Sequence, residues 1–200
     1  VFGHLQQQQR GSSTRRRRGD DGPPRPCHRL DLNTSGVLAF AKTAPAATAL
    51  MSQFEERLVR KSYAALCDRS PTIALVDADI CRVEGVNHAE RRLCMDGEDG
   101  GQSAITQLRA AVTSDDGTTT ATAALVLAHP RHGRTHQVRL HCAAAGAPIV
   151  GDSLYGGAEP VTHASSSESA LERHALHALS LSFVHPMTGK VIEAVAPLPN

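Results

Sequence analysis

A polar loop that closes on glycine and runs straight into apolar residues sets the first constraint on this chain. Pro26-Cys27-His28-Arg29-Leu30-Asp31-Leu32-Asn33-Thr34-Ser35-Gly36 is followed at once by Val37-Leu38-Ala39-Phe40-Ala41. That order predicts a loop leading into a buried strand over 36–42. Asp31 stands at the centre of the loop. A carboxylate fixed beside a strand end and close to an arginine is either a buried salt-bridge member or a catalytic group. For one aspartate taken alone, the salt bridge is the commoner outcome.

The core has little aromatic material to work with. The chain has 200 residues, 3% aromatic and without Trp, so Ala, Val, Leu and Ile must fill the interior of what is expected to be one domain. Formal net charge is only +1, but the positive charge is clustered. Seven arginines and two aspartates precede Asp31; Arg57, Arg60 and Lys61 form a second group, and Arg131, Arg134 and Arg139 a third. Each cluster alone reads as a solvated face, whereas three in a balanced chain point to an anionic partner. The five cysteines, Cys27, Cys67, Cys81, Cys94 and Cys142, form no C-x-x-C pair and suit thiols used as small apolar residues in a reducing, intracellular setting. No apolar run approaches the roughly 18 residues that span a membrane.

Residues 1–25 hold Gln and Arg runs without hydrophobic period and read as a disordered tail preceding a domain over 26–200. Thr43 is placed to cap a helix running to about Leu58, with Pro45 in its first turn and Ala46, Leu50 and Phe54 inward. Strands are expected over 62–67, within 73–83, over 103–112 and 120–128 around a Ser-Asp-Asp-Gly turn, and finally over 176–184 and 190–195. Residues 87–102 read as a loop, 129–133 as a turn, and 158–172 as a flexible insertion. Thr135 is the expected cap of a second helix ending at Gly146, with Val138, Cys142 and Ala145 inward. Strand-rich order with two helices predicts an α+β domain around a mostly antiparallel, mixed sheet with flanking helices.

Three motifs suggest chemistry and fail on inspection. His129, His132, His136 and His141 crowd the segment HPRHGRTHQVRLH, but their spacing fits no usual zinc pattern and the interleaved arginines would repel a cation. Gly151-Asp152-Ser153-Leu154 spells one esterase nucleophile block, yet no aspartate follows Asp152 to complete a triad. His28-Arg29-Leu30-Asp31 has the wrong order for a kinase catalytic loop, and no Gly-rich phosphate loop accompanies it. Asp31, Tyr63 and Arg134 make a more coherent set. An arginine fork holds a carboxylate ionised, and a tyrosine ring beside them suits a flat heterocycle.

Six blocks in order carry a resemblance. PCHRLDLNTSGVLAFAKT resembles the His-Arg-Leu-Asp-x-x-Thr-Ser-Gly signature of the RluA-type RNA pseudouridine synthases. Arg60-Lys61-Ser62-Tyr63 resembles their Lys-x-Tyr strand, and Ala104-Ile105-Thr106 their Ala-x-Thr strand. Gly133-Arg134-Thr135-His136-Gln137-Val138-Arg139-Leu140-His141 is similar to their Gly-Arg-Thr-His-Gln-Ile-Arg-Val-His block. Residues 146–156 resemble their Gly-x-Pro-Ile-x-Gly-Asp-x-x-Tyr-Gly loop, and Leu176-His177-Ala178 with Phe183-x-His185-Pro186 their last strand pair. The likeness covers residues 26 to 199.

The resemblance implies the pseudouridine synthase catalytic fold and an isomerase that detaches uracil from C1′, turns it and rejoins it through C5, with no cofactor or metal. Asp31 would be the catalytic aspartate, Tyr63 would stack on the flipped base, Arg134 would pair with Asp31, and Leu176 would line the base pocket. Arg29, Lys61, Arg139 and Arg15 to Arg18 would contact the RNA backbone. The partner would be ribosomal or transfer RNA, met by a monomer away from membranes, in cytosol, nucleus or organelle. An idle RNA-binding module of the same fold and a histidine-metal hydrolase are the rival readings. This chain departs from the family where Gln and Arg runs replace an N-terminal strand and its Asn-Lys-Pro-x-Gly turn, so a missing sheet strand is expected. It also departs at His132, commonly Thr, and at His174, commonly Leu.

Overall fold

A computed structural model describes residues 22–85, 90–114, 123–156 and 173–199. Eleven strands and two helices are formed within them: β1 (Arg25–Pro26), β2 (Ser35–Gly36), β3 (Phe40–Ala41), α1 (Ala44–Glu55), β4 (Arg60–Cys67), β5 (Leu75–Asp77), β6 (Ile80–Arg82), β7 (Arg91–Leu93), β8 (Ile105–Ser114), β9 (Ala123–Pro130), α2 (Gln137–Ala144), β10 (Leu176–Val184) and β11 (Val191–Val195). The main sheet runs β11-β10-β4-β9-β8-β5, with β2 added parallel to β10 and every other pairing antiparallel. The α+β class with a mostly antiparallel mixed sheet is what the sequence predicts. The disordered tail and the 158–172 insertion fall largely on residues outside those described.

Small residues make the sheet a close bed for α2. Ala65, Cys67, Ala124, Val126 and Ala128 share one face through the β4–β9 register and are completely or almost completely buried. Val138, Cys142 and Ala145 pack onto them together with Ile149 and Leu176. The inner stripe of α2 is as expected, but the helix is wider in its burial. Gln137, Arg139, Leu140 and His141 are buried as well, so its polar side chains need internal partners.

Several elements differ from expectation for local reasons. The strand over 36–42 splits in two: β2 joins β10 while β3 turns away to pair with β1. Thr43 does cap α1, accepting the Ala46 N–H at 3.3 Å, but the helix stops at Glu55 and buries Ala47 and Leu50, with Ala46 and Phe54 only partly covered. Arg57 follows it at φ 63. The loop over 87–102 contains β7, which pairs with β6, and Cys94 lies within disulfide reach of Cys81 and is bonded to it. Only Cys27, Cys67 and Cys142 are buried thiols of the expected kind. His129 and Pro130 extend β9 rather than forming a turn. Thr135 does not cap α2. His136 occupies that position in the left-handed region without a side-chain cap bond, and the Gln137 side chain accepts the Arg134 N–H at 3.0 Å while the Gln137 N–H bonds to the Arg134 carbonyl. This reciprocal pair resembles a capping box with glutamine closing it. No helix among the described residues is long and apolar enough to cross a membrane.

Candidate active site

The Asp31 loop is held by the sheet on one side and by histidines on the other. The Thr34 N–H closes a turn onto the Asp31 carbonyl at 3.0 Å, with Asn33 at φ 71 in between. Thr34 Oγ1 meets His174 Nε2 at 2.8 Å, and Ser35 Oγ meets His177 Nδ1 at 2.9 Å. Gly36, at φ +117, lets β2 lie against β10; a Cβ there would overlap the Ala178 backbone. His28 stacks on Phe54 and accepts the Ala39 N–H at 3.0 Å. The loop is therefore tied at residues 28, 34, 35 and 36, and no hydrogen bond or ion pair among the described residues holds the Asp31 carboxylate.

Asp31 opens onto a cleft lined also by Arg29, Leu30, Thr34, Tyr63, His132, Arg134, Val138 and Leu176. Tyr63 stands on β4 and Leu176 on β10, beside one another in the sheet through the pairs Tyr63↔Ala178 and Ala65↔Leu176. Burial, and then the Asp31 charge, push the Tyr63 phenol up to about 12. It therefore remains protonated at neutral pH. Arg29 is exposed at the cleft mouth and Leu176 is buried in its wall.

Two arginines stand elsewhere than expected. Arg134 lines the cleft, but it makes no ion pair with Asp31; its Nε donates to the Ser103 carbonyl at 3.1 Å. Arg139 is not a surface contact for RNA backbone. It is 5% exposed and its guanidinium donates two bonds of 2.7 Å to Asp152. Its position on the inward side of α2, where the outside of the helix is also covered, is the reason. Burial would raise the Asp152 carboxyl, yet Arg139 and the Leu154 N–H outweigh that and hold it below the usual carboxylate range. Asp152 is thus the anchor of its turn, accepting the Leu154 and Tyr155 amides at 3.1 and 3.3 Å. Lys61, also assigned to the backbone, is half-buried and donates to the His132 carbonyl at 2.7 Å. Burial, and then Arg134, lower its pKa to about 8.

The histidines of the crowded segment go to separate duties. His132 Nδ1 accepts the Ile105 N–H at 3.1 Å, His136 Nδ1 faces the Tyr155 hydroxyl at 3.0 Å, and His141 Nδ1 faces Thr106 Oγ1 at 2.8 Å. The sequence reading named the residues that brace the site but gave no bracing role to Gln137, whose amide donates to Ile105 and Thr106, or to Asp152, His174 and Tyr155. Their partners are distant in the chain, and the only sequence signal was polar residues at positions that periodicity marks as inward.

These blocks have counterparts in known proteins. A sequence model described as RNA pseudouridylate synthase matches residues 4–144. The chain is 36% identical over 174 residues to ribosomal large subunit pseudouridine synthase D of Zymomonas mobilis, covering 86% of this chain and 52% of that protein. It is 37% identical over 178 residues to the protein of the same name from Xanthomonas campestris, covering 86% and 51%. The chain thus spans about half the length of the curated relatives it matches. Among solved structures it is similar to human RNA pseudouridylate synthase domain containing 1, with TM-score 0.66, 31% identity and coverage of 88% and 69%. Human RNA pseudouridylate synthase domain containing 4 superposes with TM-score 0.70 at 26% identity, covering 90% and 73%. With the family model matched over more than half of its residues and the same fold around the cleft, the chain belongs to the RNA pseudouridylate synthase family.

Proposed function

We propose that this chain isomerises uridine to pseudouridine in RNA, with Asp31 as the reacting carboxylate. The observation that carries the reading is convergence. Asp31, Tyr63, Arg134 and Leu176, drawn from four separated blocks of the chain, line one cleft. In this reading the uridine leaves its stack and enters the cleft. Asp31 acts on the nucleoside, at C1′ as nucleophile or on the sugar as base, while the C1′–N1 bond breaks. The freed uracil turns between Tyr63 and Leu176, C5 bonds to C1′, and the C5 proton departs. A phenol held protonated serves by stacking and by relaying that proton rather than as a standing phenolate. Arg134 closes onto Asp31 once substrate displaces it from Ser103, and Arg29 meets backbone phosphate at the mouth. Ribosomal RNA is the proposed substrate, since the bacterial relatives are named for the large ribosomal subunit.

Carbodiimide mapping of ribosomal RNA treated with the purified chain tests this. New pseudouridine that vanishes in Asp31→Asn supports it; RNA binding with no modification by the wild type favours an idle binding module instead. Arg134→Ala should lower turnover on the order of 100-fold or more, the scale of losing an electrostatic group at a reacting centre, with little loss of RNA affinity. An equal fall in both would make Arg134 a phosphate contact.

A further inference from the structure

His132 carries the buried side-chain atom without a hydrogen-bond partner among the described residues, its Nε2. The residue is 4% exposed and lines the cleft. Its tautomer follows from its other contact. Nδ1 accepts the Ile105 amide N–H, so the proton of the neutral ring sits on Nε2, and the unpaired atom is a donor. Burial, followed by the charges of Arg57, Arg134, Arg131 and Lys61, lowers its pKa and keeps the ring neutral. A buried donor left unpaired is destabilising, so its retention in a cleft wall calls for a partner that arrives from outside.

Every charged group acting on His132 is itself a donor. Lys61 Nζ spends one hydrogen on the His132 carbonyl. Arg131 adjoins His132 in the chain, and its side chain is exposed without an ion pair among the described residues. Arg57 is likewise exposed and unpaired, held at φ 63, a conformation that costs a non-glycine residue energy. Among the described residues, no carboxylate acts on His132. The second and third basic clusters of the sequence, some seventy positions apart, meet here because β4 pairs with β9. The lip around His132 brings together cations and a neutral N–H, while Asp31 is a carboxylate lining the same cleft.

We infer that His132, Lys61, Arg57 and Arg131 form an anion subsite at the lip of the cleft that grips a phosphodiester of the RNA strand beside the nucleotide in the cleft. The inference rests on the RNA reading above. A phosphodiester brings two non-bridging oxygens that accept several donors at once. The arginines and the lysine supply charge, while the neutral His132 supplies direction and releases no counterion.

The division of labour makes the test specific. Affinity of the full chain for a short oligouridylate RNA is measured across a salt series for wild type, Arg57→Gln, Arg131→Gln and His132→Asn. Each arginine variant should bind several-fold more weakly at low salt, with the slope of log K against log salt shallower by about 0.7, as for one lost contact to a single strand. His132→Asn should weaken binding with the slope unchanged. Arg57 and Arg131 are exposed, so their variants keep the proposal falsifiable if His132→Asn does not fold. Unchanged affinity and slope in both arginine variants would overturn the subsite, as would inorganic phosphate saturating His132 without competing with RNA. Pseudouridine formation is read separately. A wild type that modifies RNA with no slope change in the variants sinks the subsite alone, and a slope change without modification sinks the isomerase reading alone.

Discussion

At the scale of single residues, the Arg139–Asp152 pair separates support from contact. Its guanidinium lies over the Tyr155 ring, 5.1 Å from the centroid, yet it faces the interior. Removing one partner of a buried pair leaves a bare charge, so Arg139→Met should destabilise the fold by roughly 3–5 kcal/mol in urea unfolding. A variant of full stability with weakened RNA binding would restore Arg139 to the RNA surface. His174 makes a pH prediction. Burial, and then Arg139, lower its pKa from 6.5 to about 4. Between those values the unfolded chain binds a proton that the folded chain refuses, so stability is full above pH 6.5 and falls as pH drops toward 4. That fall is the linkage of the shifted pKa to folding. The urea midpoint of the wild type should fall relative to that of His174→Leu as the pH drops through that window, and a constant difference between them would contradict the assignment.

At the scale of elements, β2 is the short strand on which the site depends. Its two residues fix the end of the loop to β10, and the fit requires Gly36. Gly36→Ala should cost more than the roughly 1 kcal/mol of an ordinary glycine replacement and should lower activity more steeply than stability, read by thermal unfolding beside turnover. Equal activity at reduced stability would mean that the loop holds its shape without β2. Much of this level was legible. The long strands β4, β8, β9 and β10 follow apolar alternation, and α1 follows its Thr43 cap and Pro45. What escaped was set by tertiary partners. The run over 37–41 is uniformly apolar, so nothing local says that the expected strand divides between β10 and β1. The hairpin of β6 and β7 is polar and short, and the Cys81–Cys94 bond that staples it joins cysteines whose spacing matches no motif. The capping of α2 from Gln137 inward displaced Thr135 because Gln137 also reaches Ile105 and Thr106.

At the scale of the molecule, a small-residue core brings α2 close to the sheet and sets a cleft at the ends of β4, β9 and β10. The cleft residues were legible from motif blocks, because Asp31, Tyr63, Arg134 and Leu176 each sit in a recognisable local context. The bracing around them was not, since ion pairs and histidine bonds such as His174 to Thr34 join positions 140 apart that no spacing rule connects. The central claim concerns one exchange of bonds: C5 loses its hydrogen as it becomes the carbon joined to the ribose. RNA carrying uridine tritiated at C5 therefore reports the reaction directly. The wild-type chain should release tritium to water in step with pseudouridine formed, and Asp31→Asn should release none while still binding the RNA. Tritium release that survives in Asp31→Asn, or its absence from a folded, RNA-bound wild type, would contradict the account.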